Sequence, residues 1–265
     1  MKLLILMVCG VAYGFGAVTQ MTTESGIPFA MVGEKGATPA PALFVFATTA
    51  EQTLTDPNFY KMASQVRAER GALLVSIDVP GHGSDRRAGE RDGIWAWRSR
   101  AEQGEDVAAK FTASVTAVLD HLIAKGYVDP ARVAVSGTSR GGFMALQAAA
   151  ADARFRWVVA FAPVTDLTVL LEFKGMESEA LTQRLSVINL AGKLAGRSIW
   201  MCIGNNDDRV GTEQAIALTR RVVAESVKEG LKADVELHVQ SSKGHTIAPE
   251  SHPHAAAWLL ERVAH

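Results

Sequence analysis

With 265 residues and 48% apolar side chains, the chain has material for one sizeable core and no need of a second, so one domain is expected. Lys and Arg (27) nearly cancel Asp and Glu (28) without any block of like charge. That balance excludes the electrostatic footprint of a nucleic-acid or anionic-membrane binder, and a small, neutral molecule is the natural partner.

Residues 1–17 carry Lys2, the apolar stretch Leu3 to Val11, and then small residues Ala12, Gly14, Gly16 and Ala17. This is the order of a secretory signal peptide, which predicts a secreted or periplasmic protein with a body over 18–265. The stretch is too short to span a membrane, and its rival reading is an N-terminal strand of the fold. With the leader removed, Cys202 is left alone in the hydrophobic run Ile199 to Ile203, where it reads as core filler rather than part of a disulfide or metal cluster.

Ile27 to Gly33 predicts an early strand, and Ala42 to Phe46, behind Pro39 and Pro41, a strand buried on both faces. Asp56-Pro57 opens a helix, with Asp as cap and Pro in the first turn, that runs to Arg70 before Gly71. Ala72 to Ile77 is the next strand, followed by a loop over 84–104 rich in Gly and Arg. A long helix from about Glu105 to Lys125 then carries Val107, Phe111, Val115, Val118 and Leu122 on one stripe. Further strands are expected over Arg132 to Ser136, Trp157 to Ala162, Ser198 to Ile203 and Ala233 to Val239, with helices at Phe143 to Ala151, Thr212 to Glu229 and Pro253 to Val263. Strands and helices alternate, which predicts an α/β fold: a mostly parallel sheet flanked by helices, with functional loops at the carboxyl ends of the strands. Residues 164–197 break the alternation with Leu170, Leu171, Phe173, Met176 and Leu181, and are expected to form a small helical lid.

Gly137-Thr138-Ser139-Arg140-Gly141, followed at once by Gly142, lies where an apolar strand turns directly into an apolar helix. A serine there is held exposed on a sharp turn, and the flanking glycines let neighbouring backbone approach, so Ser139 reads as a nucleophile. A serine hydroxyl needs a base, usually a histidine oriented by a carboxylate. His245 follows the strand 233–239 and Asp207 follows the strand 198–203, giving the chain order Ser, Asp, His. Asp208 is the rival acid and is otherwise expected to structure the loop with Arg209. His252 and His254 are rival bases that read more simply as polar surface residues at the start of the last helix, and Asp166 reads as a helix cap.

Four local patterns together resemble the α/β-hydrolases: the elbow around Ser139, the loop Asp78-Val79-Pro80-Gly81-His82-Gly83, the acid loop Gly204-x-x-Asp207-x-x-Val210, and Gly244-His245. The resemblance covers residues 25–265. Gly141-Gly142 and the lead-in Val128-Asp129-Pro130-x-Arg132 are similar to the esterases and the prolyl-oligopeptidase-like branch. The resemblance implies acyl transfer with two backbone donors for the oxyanion: the N–H of Arg140, after the nucleophile, and one from the loop after the early strand, by position Thr49. Relatives often carry His-Gly in that loop, and this chain has Ala47-Thr48-Thr49-Ala50 instead. In the resembling family the loop holding His82 is structural.

Trp95 and Trp97 in the loop 84–104 read either as rings that stack on a sugar or aromatic substrate or as anchors for the loop. Phe173 and Met176 are expected to shape the substrate pocket from the lid. The leading expectation is a secreted carboxylic-ester hydrolase acting on a small ester through an acyl-enzyme, with neither metal nor nucleotide. A small peptidase of the prolyl-oligopeptidase type comes second, because that branch adds a large N-terminal domain. A non-catalytic binding protein on the same fold comes third.

Overall fold

A computed structural model describes residues 16–263 and places eight strands in one sheet in the order β1-β2-β4-β3-β5-β6-β7-β8. These are β1 (Val18–Thr22), β2 (Pro28–Val32), β3 (Ala40–Phe46), β4 (Leu73–Ser76), β5 (Val128–Thr138), β6 (Phe155–Phe161), β7 (Ser198–Gly204) and β8 (Val235–Gln240). β2 pairs antiparallel with both β1 and β4, and every other pairing is parallel. The carboxyl ends of β3, β5, β7 and β8 therefore lie along one edge of the sheet, and the four loops carrying the expected chemistry start there. The expected leader falls almost wholly outside the described residues, while β1, just after it, is an element the sequence reading did not contain.

The central strands are apolar on both faces, as a buried parallel sheet requires. Successive residues of β3 alternate between two cores: Ala42, Phe44 and Phe46 pack on one side, Leu43 and Val45 on the other. On the first side lie α3 (Ile94–Glu102), α4 (Val107–Ala124), α5 (Arg140–Ala151) and α8 (Thr212–Lys228). All five residues of the predicted α4 stripe are buried there, and each such side chain contributes about 1.5–3 kcal/mol on leaving water. The other side holds α1 (Ala50–Thr55), α2 (Pro57–Arg70) and α9 (Ser251–Val263). α2 is capped as expected: the Asp56 carboxylate accepts from the Asn58 N–H, and Gly71 closes the helix at φ 64°.

The segment between β6 and β7 is built of short pieces: 3₁₀ turns at Leu167–Val169, Leu171–Phe173 and Val187–Leu190, and the helices α6 (Ala180–Leu185) and α7 (Ala191–Leu194). The expected loop over 84–104 gives way to α3 in its second half. Ile94, Trp97 and Ala101 recur at helical spacing and are all buried, so burial of that stripe explains the helix. Cys202 is buried in β7, and burial pushes its thiol up to about 11.

Candidate active site

Ser139 sits between β5 and α5 with φ 55° and ψ −115°, a conformation that a residue bearing a Cβ adopts only at a cost of about 1–3 kcal/mol. Its N–H donates to the Phe161 carbonyl at 2.8 Å, and its own carbonyl accepts from the N–H groups of Phe143 and Val164. The surrounding glycines make the turn sterically feasible. A Cβ at Gly137 would collide with the carbonyl of Gly141, and one at Gly141 with the carbonyl of Phe46 at the end of β3. At Gly142 it would lie 2.9 Å from Pro163 Cβ.

The loops after β7 and β8 bring two further side chains to this turn. His245 Nε2 stands 2.9 Å from Ser139 Oγ, and His245 Nδ1 stands 2.7 Å from Asp207 Oδ2. Asp207 is 3% exposed, and its other oxygen, Oδ1, accepts from the N–H groups of Arg209 and Val210 at 3.1 Å each. The carboxylate is thus fixed by its own loop with one oxygen committed to the imidazole. Asp208 is exposed and makes neither contact. The acid and histidine loops are tied together, because Ser242 N–H donates to Asn205 Oδ1 and Asn205 N–H to the Gln240 carbonyl.

The two expected oxyanion donors lie on adjoining backbone. Arg140 is the first residue of α5, and its N–H has no intrahelical acceptor. Thr49 caps α1 through its side chain while its N–H donates to none of the described residues. Its neighbours are fully engaged: Thr48 N–H donates to Thr53 Oγ1, and Ala50 N–H to Asp78 Oδ1 at 2.7 Å. Asp78 braces this loop, since its Oδ2 also accepts from the N–H and hydroxyl of Ser84. The sequence alone assigns Asp78 to the loop 78–83 and gives it no role.

The expected substrate residues fare differently. Trp97 is fully buried, donates through Nε1 to the Pro80 carbonyl at 2.7 Å and packs on Phe143, so it anchors α3 instead of facing a ligand. Trp95 is half-buried under the Arg91 guanidinium, 3.5 Å from its ring centroid. Phe173 is fully buried and Met176 is 6% exposed, so the lid turns both into the core. The apolar lid side chains that face out are Val169 and Leu171, at 40% and 70% exposure. They border a cleft of about 400 Å³ that also touches Arg209. Arg209 pairs with Glu172 at 2.6 Å, not with Asp208. His252, expected at the surface, is 8% exposed and tilted onto Phe161 at 4.8 Å. Asp166 caps the first 3₁₀ turn of the lid as expected. His82 hydrogen-bonds the carbonyls of Val79 and Pro80. Burial, aided by the Arg140 charge, holds its pKa below the usual histidine value.

The chain is similar to known proteins in sequence and in fold. A probable dipeptidyl-aminopeptidase B of Colletotrichum graminicola is 29% identical over 197 residues, which is 69% of this chain and 19% of that protein, so the chain spans about a fifth of its relative's length. Dipeptidyl peptidase 4 of Porphyromonas gingivalis superposes with a TM-score of 0.66 at 18% identity, covering 93% of this chain and 36% of that one. Acetyl xylan esterase 1 of a Thermoanaerobacterium species gives 0.62 at 19% identity, covering 92% and 82%. These likenesses establish the α/β-hydrolase fold. The family model of the prolyl oligopeptidases matches residues 57–264, and the chain belongs to that family of α/β serine hydrolases.

Proposed function

We propose that the protein hydrolyses carboxylic esters through an acyl-enzyme formed on Ser139. The observation that carries this reading is the continuous hydrogen-bonded chain Ser139 Oγ, His245 Nε2, His245 Nδ1, Asp207 Oδ2 at the carboxyl edge of the sheet. His245 Nε2 takes the Ser139 proton as Oγ attacks the carbonyl carbon, and Asp207 holds the ring and stabilises the imidazolium. The N–H groups of Arg140 and Thr49 receive the oxyanion, each such donor being worth about 3 kcal/mol. Collapse breaks the ester C–O bond, and the leaving alkoxide takes the proton from Nε2. Water then repeats the sequence: Nε2 takes its proton, the hydroxyl attacks the acyl carbon, and the acid departs as Ser139 recovers its hydrogen.

A second reading, peptide hydrolysis, is favoured by the family match. Ester hydrolysis stands first because release of residues from a peptide amino terminus calls for a carboxylate free to receive an ammonium group. Glu172, the buried carboxylate of the lid, is already paired with Arg209, and the carboxylates that line the cleft, Glu177 and Asp208, are exposed to water. Turnover of 4-nitrophenyl esters against aminoacyl 4-nitroanilides, by wild type and Ser139→Ala, tests both readings. The expected outcome is ester turnover that falls about 10⁴-fold or more in the variant. Faster cleavage of the anilides makes the protein a peptidase, and turnover of neither leaves a binding protein on this fold.

A further inference from the structure

Three charged side chains gather beside Ser139 without a task in the chemistry above. Arg140 follows the nucleophile directly. Its Nε donates to the Ala47 carbonyl at 3.2 Å, neither Nη atom bonds any described residue, and it forms no ion pair among them. Room for the guanidinium is made by Gly93, held at φ 61°, where a Cβ would lie 2.9 Å from Arg140 Nη1. Burial, reinforced by the charge of Arg209, holds the pKa of Arg140 below the usual arginine value, so both act against this cation. Arg209 reaches Glu172 with Nη2, but Arg209 Nη1 and Glu172 Oε2 are both buried without a hydrogen-bond partner.

An unpaired cation in a half-buried place is costly, and buried polar groups with unmet hydrogen-bonding capacity call for an explanation. The cluster holds two guanidinium groups and one carboxylate, so it is short of one negative charge. Glu172 is the carboxylate whose charge favours the Arg140 cation, and Arg209 already holds it, while Asp207 is committed to His245 and Asp208 is exposed.

We propose that Arg140 and Arg209 receive a carboxylate of the substrate, so that the preferred substrates are esters carrying a free carboxylate close to the scissile carbonyl. The proposal rests on the hydrolase reading and deepens it. The anion supplies the missing charge and gives the free Arg140 Nη groups an acceptor next to the residue that follows β5 as nucleophile. A substrate presenting a free amine would meet like charge in the same place.

The test compares mono-4-nitrophenyl glutarate with its methyl ester, methyl 4-nitrophenyl glutarate, which has the same acyl length without the charge. Wild type is expected to show kcat/KM about 10- to 100-fold higher for the acid, the range of a charge-assisted hydrogen bond, with the ratio shrinking as salt is raised. Arg140→Gln should bring the ratio near one and Arg140→Lys should restore part of it. Equal kcat/KM for both esters in wild type, hydrolysed through Ser139, overturns the carboxylate site and leaves the esterase standing. So does a preference for aminoacyl 4-nitroanilides. If neither ester is hydrolysed, the esterase reading fails by itself, and titration calorimetry of glutarate against Ser139→Ala decides the site. Binding weakened tenfold or more by adding Arg140→Gln supports the site, and no binding or unchanged binding overturns it.

Discussion

The backbone of Gly141 rests against the carbonyl of Phe46, so closely that a methyl group on Gly141 would overlap the carbonyl oxygen. This contact presses the first turn of α5 onto the end of β3, which puts the Arg140 N–H and the Thr49 loop on adjoining backbone. Gly141→Ala must therefore move one element off the other, and neither is a flexible side chain. The expected outcome is a loss of about 3 kcal/mol or more, at the upper end of overpacking effects, with activity lost in whatever remains folded. Denaturant unfolding of the variant checks it. A stability within experimental error of wild type would show that the contact is looser than described.

The orientation of His245 separates two adjacent acids. Asp207 contacts His245 Nδ1 at 2.7 Å from a buried position, whereas Asp208 is exposed and has no contact with the imidazole. Asp207→Asn should lower kcat by about 10³- to 10⁴-fold through loss of the correct imidazole tautomer, and Asp208→Asn should change it by less than about threefold. Ester kinetics on both folded variants checks the ranking, and the reverse order would assign the role to Asp208.

Asp78 gives a subtler expectation. Its two oxygens bind Ala50 N–H and Ser84, so it holds the start of α1, next to Thr49, against the loop that follows β4. Thr48 is tied to the same loop, since its carbonyl accepts from Val79 N–H at 2.9 Å. Asp78→Ala should let the Thr49 donor drift and reduce kcat about 10-fold or more, with KM little altered, because the donor matters to the oxyanion and not to ground-state binding. A fall in kcat/KM carried by KM alone would argue against this role.

What could be read from the sequence follows from how local the cause is. The elbow, the acid loop and the histidine loop were legible because each sits just past a strand end and the glycines around Ser139 have a steric reason. Asp207 was separable from Asp208 by its spacing to Gly204 and Val210, and the structure shows the reason: Oδ1 binds the N–H groups of Arg209 and Val210. The lid was not legible in the same way. Residues 164–197 carry no sustained period, so nothing local says that Phe173 turns inward while Leu171, two residues earlier, faces water. The pairing of Arg209 with Glu172 joins residues 37 apart in the chain and depends on the lid's path. Trp97 is the instructive case, since alternation with Trp95 suggested an exposed loop while Ile94, Trp97 and Ala101 already spelled a helical stripe.

Acid should weaken the fold through His252. The ring is buried against Phe161 in α9, its Nδ1 has no partner, and burial, with a smaller contribution from the Lys61 charge, holds its pKa below the usual histidine value. The unfolded chain takes up a proton near pH 6.5, whereas the native ring withholds it until a lower pH, so the unfolded state binds more protons in between. Stability is therefore full above about pH 6.5 and declines as pH falls through that value toward the depressed native pKa. His82 is shifted in the same direction, mainly by burial, and adds to the slope. Melting temperatures measured from pH 7.5 to 5.5 should fall in wild type and fall less steeply in His252→Phe, which keeps the aromatic contact and removes both the titration and the unmet Nδ1. An identical slope in the variant would mean that the native ring accepts its proton as readily as the unfolded chain does, and the burial argument for His252 would fail.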